Sequence, residues 1–131
     1  GEEAYLDSVL SLIENGSPLA AAVSDSYDLW NFVENVIGKT FKDRISKLPG
    51  RLVVRPDSGD PTIVPVKVIK MLGDIFGYTV NKMGYKILPD YIRVIQGDGV
   101  NAESIDNILD NLTSADWSAE NIVFGMGGKL I

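Results

Sequence analysis

Four short strings in this chain carry the residue types that chemistry needs: Asp25, Arg55-Pro56-Asp57, Gly97-Asp98-Gly99 and Gly125-x-Gly127-Gly128. Backbone N–H groups freed by Gly127 and Gly128, at a helix N-terminus, can cradle a phosphate. Asp98 between two glycines can approach a ribose and accept from two hydroxyls. Asp25 and Asp57 can stabilise positive charge developing on a sugar ring, or help hold Mg²⁺ on a pyrophosphate. Pro56 fixes its own φ and holds Arg55 extended, so the arginine and Asp57 are displayed where an apolar run stops. Each string has a plainer reading. An aspartate before a helix caps it more often than it catalyses. Gly97-Asp98-Gly99 alone can be a tight turn, a glycine-rich turn alone is a weak phosphate signal, and Arg55 and Asp57 can simply pair with each other. Together the four strings suggest a sugar-phosphate ligand without selecting a reaction.

The elements that must position them come in a repeated order. Leu6, Val9, Leu10 and Ile13 fall at helical spacing within Ala4 to Glu14, with Asn15-Gly16 as the stop. Leu19 to Val23 reads as a buried strand by its length and flanks, although alanine alone favours helix. Tyr27 to Ile37 gives a helical face closed by Gly38, and Thr40 to Leu48 a short amphipathic piece. Leu52-Val53-Val54 is a second strand, after which Pro61 is expected to open a helix at its tolerated first position. That helix carries Val64, Val68, Met71, Leu72 and Ile75 and ends near Gly77. Tyr78 to Asp90 reads as a hairpin or an excursion over the strand ends. Tyr91 to Ile95 is a third strand, Asn101 caps a helix through Leu112, and Ile122 to Phe124 is a fourth strand. Trp30 is expected in the core and Trp117 at a sheet edge, with Lys82, Lys86 and Arg93 as solvated charge, or alternatively at the phosphate side.

Strand ends therefore fall near Ser24, Arg55, Gln96 and Gly125, roughly 30–40 residues apart, the size of a βα unit with its loops. Apolar strands with crossover helices mean a parallel sheet, and ligands of such folds sit at the C-terminal strand ends. A complete eight-stranded βα barrel needs about 250 residues. The 131 residues here are expected to form one α/β domain, about half of an irregular barrel built from repeated parallel βα units.

Composition narrows the chemistry. A formal charge of −6 argues against a nucleic-acid surface, and no apolar run approaches the length of a membrane span. The acidic start, Gly1-Glu2-Glu3, is unlike the basic start of a signal peptide. The absence of cysteine removes disulfides and thiolate chemistry and fits a cytoplasmic protein. The absence of histidine removes the commonest general base and metal ligand, leaving carboxylates and backbone for any catalysis by this chain.

The strings Val23-Ser24-Asp25-Ser26-Tyr27-Asp28, Arg55-Pro56-Asp57-Ser58-Gly59, Gly84-Tyr85-Lys86-x-Leu88-Pro89, Arg93-Val94-Ile95-Gln96-Gly97-Asp98-Gly99-Val100 and Trp117-Ser118-x-Glu120-Asn121-Ile122-x-Phe124-Gly125-x-Gly127-Gly128 resemble the nicotinamide phosphoribosyltransferases. The resemblance covers essentially everything after Ala20, in the same order. It implies transfer of phosphoribosyl from phosphoribosyl pyrophosphate to nicotinamide, giving nicotinamide mononucleotide and pyrophosphate in NAD salvage, with Mg²⁺, ATP coupling and a homodimer. It implies that Asp25 partners a catalytic histidine upstream of Gly1, and that Arg55 lines the nicotinamide and phosphate region. Asp57 would lie by the ribose and the Mg²⁺-pyrophosphate, Gly97 and Asp98 on the ribose hydroxyls, and Gly127 and Gly128 on the 5′-phosphate. Lys129 stands where the family often has a third glycine. The pyridine-stacking aromatics, the acid that reads the carboxamide and a further phosphate-binding arginine would lie outside these residues. The 131 residues alone are accordingly expected to be inactive. Nicotinate phosphoribosyltransferase activity, or a non-catalytic phosphate-binding half-barrel, are the alternatives.

Overall fold

Leu6, Val9, Leu10 and Ile13 are all buried along one side of α1 (Glu2–Glu14), as their spacing requires. The computed structural model describes residues 1–24, 28–126 and 129–130. After α1 come β1 (Leu19–Ser24), a single α turn α2 (Leu29–Asn31), a π-helix (Phe32–Thr40) and α3 (Lys42–Ser46). The chain continues through β2 (Arg51–Pro56), α4 (Val64–Phe76), β3 (Thr79–Val80), β4 (Lys86–Ile87), β5 (Ile92–Gln96), α5 (Ala102–Ser114), β6 (Ile122–Met126) and β7 (Lys129–Leu130).

Four strands form a parallel sheet in the order β1-β2-β5-β6, each beside its predecessor, and β7 adds to β6 antiparallel. The sheet is open. Register decides its two faces. Ala20 and Ala22 pair with Leu52 and Val54, Leu52 and Val54 with Ile92 and Val94, and Val94 and Gln96 with Ile122 and Phe124. This face packs under the helices in one apolar core. The opposite face carries Leu19, Ala21, Val23, Val53, Ile95 and Val123, none of which belongs to that core. Leu19 is 54% and Val23 40% exposed there. Burial of β1 thus alternates, although its sequence, Leu-Ala-Ala-Ala-Val, does not.

Several expectations change in the folded chain. The helical run after β1 is mostly π-helical and passes through Gly38 to Thr40. Gly38 marks close helix contact instead of a stop: a Cβ there would lie 2.8 Å from Ile75 Cδ1. Pro61 does not open α4, which starts at Val64 with Pro65 in its first turn. Pro65 explains the delay: Val64 N donates to Asp60 O at 2.9 Å, but Pro65 has no N–H to continue that ladder to Pro61 O. Asp60 Oδ1 accepts from Thr62 Oγ1 at 2.7 Å and Thr62 N at 2.9 Å, and these bonds hold its carboxyl below the usual carboxylate range. Trp30 is 41% exposed and outside the core. Trp117 is buried, over Gly73 of α4 and edge-on to Tyr78, with Lys86 Nζ 4.7 Å from its ring.

Arg93 is not solvated charge. It is 6% exposed, and its Nη1 donates to the carbonyls of Leu88, Pro89 and Ile92 at 3.0, 2.6 and 2.7 Å. Burial, and after it the nearby Arg51, pushes its pKa below the ordinary guanidinium value. The segment from Tyr78 to Asp90 contains the β3–β4 hairpin. It is tied by Asn121 Oδ1, which accepts from Leu88 N at 2.8 Å. Because it links the end of α4 to the start of β5, it lies at the N-terminal ends of the strands, away from the edge where the motifs gather.

Candidate functional site at the C-terminal strand edge

Parallel strands bring their C-terminal ends to one edge, so Ser24, Pro56, Gln96 and Met126 finish together. Arg55 and Gly97 meet there. A Cβ on Gly97 would lie 2.9 Å from Arg55 Nη2 and 3.4 Å from Cζ, so the guanidinium rests against the glycine backbone. A Cβ on Gly125 would lie 3.8 Å from Gly97 Cα, which puts the end of β6 beside the same spot. Of the predicted site residues, the structure therefore joins Arg55 and Gly97 directly.

The loops above this edge lock into one another. Gly59 and Gly99 both have positive φ, 79° and 66°, a region that favours glycine. A Cβ on Gly99 would lie 2.9 Å from Pro61 Cγ, so the β2–α4 and β5–α5 loops touch. Asn111 Nδ2 donates to Thr62 O at 2.7 Å, and Ser104 Oγ donates to Gly99 O at 2.8 Å. Asn101 accepts from Ser104 N in a capping box, which starts α5 directly after the glycine turn. Asp57 and Asp98 are exposed on these two loops. Asp25, Gly127 and Gly128 lie outside the described residues. In place of the expected helix N-terminus after Gly128, Lys129 and Leu130 form strand β7, paired with β6.

Among the described residues, three buried polar atoms at this edge lack a hydrogen-bond partner: Ser24 Oγ, Arg55 Nε and Gln96 Oε1. Ser24 and Gln96 are each 3% exposed. By register Ser24 and Gln96 lie in the helix-covered row and Arg55 in the opposite one, so the strand ends carry unpaired buried polar atoms on both sides of the sheet, where such groups are nearly always paired. Sequence reasoning assigned no role to Ser24 or Gln96. The signal for them was a polar residue in step with apolar ones, as Gln96 is with Ile92 and Val94. Ser24 also lines a cavity of about 420 Å³ with Gly1, Glu2, Tyr5, Val23 and Phe32. Tyr5 Oη accepts there from Val23 N at 3.0 Å.

Among the described residues no group of three or more carboxylates, histidines or cysteines forms a metal cage. Asp57 and Asp98, on separate exposed loops, are carboxylates of the kind that Mg²⁺ takes as ligands. Among the described residues no helix is long and apolar enough to cross a membrane.

The sequence profile of the nicotinate phosphoribosyltransferase (NAPRTase) family matches residues 6–131, and the chain belongs to that family. Three similar curated proteins share one name. The nicotinamide phosphoribosyltransferase of Xanthomonas campestris pv. campestris (strain 8004) is 40% identical over 129 residues, covering 98% of this chain and 27% of that protein. The enzyme of the same name from Mycoplasma pneumoniae (strain ATCC 29342 / M129 / Subtype 1) is 34% identical over 141 residues, covering 97% of this chain and 31% of its own length. That of Acinetobacter baylyi (strain ATCC 33305 / BD413 / ADP1) is 30% identical over 129 residues, covering 85% and 26%. The chain thus spans less than a third of each of these relatives.

Proposed function

We propose that the chain is part of a nicotinamide phosphoribosyltransferase, a pentosyltransferase acting in NAD salvage. The reaction joins the pyridine nitrogen of nicotinamide to the anomeric carbon of phosphoribosyl pyrophosphate as the bond to pyrophosphate breaks. The observation that carries this reading is the Arg55 guanidinium lying against Gly97, beside Gly125, at the strand edge that also holds the orphaned polar atoms. An arginine and glycine backbone suit a phosphorylated sugar, and carboxylates on the flanking loops suit the positive charge that develops on its ring.

In this reading Arg55 holds the nicotinamide and phosphate region, while Gly97 and Asp98 bind the ribose hydroxyls. Asp57 lies by the ribose and the pyrophosphate, where it would help hold Mg²⁺, whose bound charge eases pyrophosphate departure. Gly127 and Gly128 take the 5′-phosphate, and Asp25 orients a histidine from outside these residues. Gly1 and Ser24 line one cavity, so a segment preceding Gly1 in a longer chain can reach the end of β1. ATP coupling would act on that histidine. The active enzyme would be a cytoplasmic homodimer with no nucleic-acid partner, and the 131 residues alone would not turn over substrate.

The fold reading goes with it. Parallel strands in sequential order under helices on one face support a barrel arc, whereas a doubly wound sheet reverses its order. The chain would be one partial domain of an irregular barrel.

Asp57→Ala and Asp98→Ala in the complete enzyme test the assignment. Each is expected to lower kcat/KM for phosphoribosyl pyrophosphate by about 10²-fold or more. Unchanged values would remove the two carboxylates from the site. The family carries the nicotinate name while the similar proteins are named for nicotinamide. Competition between the two pyridines, read as a ratio of kcat/KM, is expected to favour nicotinamide.

A further inference from the structure

Gln96 ends β5 with its side chain on the helix-covered face, in the row of Ile92 and Val94 and paired in register with Phe124. At this position a leucine or methionine would fill the space without any polar cost. The amide instead is 3% exposed, and its Nε2 donates to the backbone carbonyl of Asp98 at 2.9 Å. A carbonyl only accepts, so the NH₂ end must face Asp98, and Oε1 is the atom left buried without a partner. A fold that tolerates an orphaned oxygen there keeps the amide for its other end.

That end fixes a loop. Between Gln96 and Asn101 the chain turns through Gly99, with Ser104 Oγ donating to Gly99 O. Gln96 draws the Asp98 carbonyl inward while Asp98 itself remains exposed. The two bonds hold consecutive carbonyls, leaving the Asp98 peptide little freedom to rotate. We propose that Gln96 is a positioning residue, which sets the Asp98 carboxylate for the ribose hydroxyls of phosphoribosyl pyrophosphate from beneath the loop. The proposal rests on the reading of Asp98 as a ribose ligand.

The test uses the complete enzyme and steady-state kinetics in both substrates. Gln96→Met keeps length and removes the donor. It is expected to raise KM for phosphoribosyl pyrophosphate about three- to tenfold, the scale of one neutral hydrogen bond, and to leave kcat and KM for nicotinamide within about twofold. In an Asp98→Ala background the same change is expected to add nothing, because coupled groups are not additive. Gln96→Glu, which turns a carboxylate toward the Asp98 carbonyl, is expected to act in the same direction and more strongly. It carries the test should the methionine variant fail to fold. Equal changes in both KM values, an additive effect in the Asp98→Ala background, or no change in KM for phosphoribosyl pyrophosphate would each overturn the proposal. If Asp98→Ala alone leaves that KM unchanged, the ribose assignment fails first and the role of Gln96 with it.

Discussion

Gly97 leaves open the space that Arg55 uses, and its backbone needs no positive φ. Gly97→Ala therefore strains no dihedral, and its methyl would press on the far end of a flexible side chain instead of on backbone. Its expected cost in stability is under about 1 kcal/mol, because the guanidinium can shift. The expected cost in function is larger, about tenfold or more in kcat/KM, since about 1.4 kcal/mol of misplaced contact already gives a factor of ten. An unchanged circular dichroism melt with reduced kcat/KM would bear this out, and full activity would refute it. At this scale the meeting of Arg55 and Gly97 at one edge was legible, because a charge and a glycine each interrupt an apolar run where a strand ends. Arg93 was not. Its carbonyl partners at Leu88 and Pro89 belong to a connection whose path the sequence does not give.

Among the elements, α4 offers a contest between propensity and packing. Gly73 is buried in mid-helix, and alanine there would favour the helix by about 1 kcal/mol. Its Cβ, however, would overlap the Trp117 ring. Overpacking typically costs about 1–3 kcal/mol, and Trp117 is buried with Tyr78 and Lys86 against its ring. Gly73→Ala is expected to be net destabilising, by about 1–2 kcal/mol in urea unfolding. A stabilised variant would show that the ring moves freely.

A second element-scale contact ties α1 to α3: Arg44 reaches Glu14 at 2.8 Å and Asp7 at 2.5 Å. The Arg44 hydrogen bond holds the Glu14 carboxyl below its ordinary 4.5. A depressed folded pKa means stability that is present above pH 4.5 and lost as pH falls through the lower folded value. Wild type should therefore lose part of its thermal midpoint in that acidic window, and Arg44→Met should lose less. The difference should be small, as for other exposed pairs.

For the whole molecule, the helices cover one face of the sheet and leave Leu19, Ala21 and Val23 exposed on the other. Exposed apolar residues on an edge strand, as on β1, favour association. The 131 residues expressed alone are expected to sediment as oligomers, and Leu19→Lys with Ala21→Lys to shift them toward monomer. A clean monomer for the unaltered chain would show that this face needs no cover.

The sequence by itself determined the alternation of strand and helix, the parallel sheet it implies, and the strand ends as the place for polar and glycine residues. These rest on local periodicity and turn chemistry, which act over a few residues. The tertiary structure decided what depends on register and on neighbours distant in the chain. It turned Gly38 from a stop into a helix contact, moved the start of α4 from Pro61 to Val64, left Trp30 exposed and buried Arg93. It also set Ser24 and Gln96 beneath the site. Their pairing across β1, β2, β5 and β6 is fixed by burial of a shared face, and no window along a single strand contains that information.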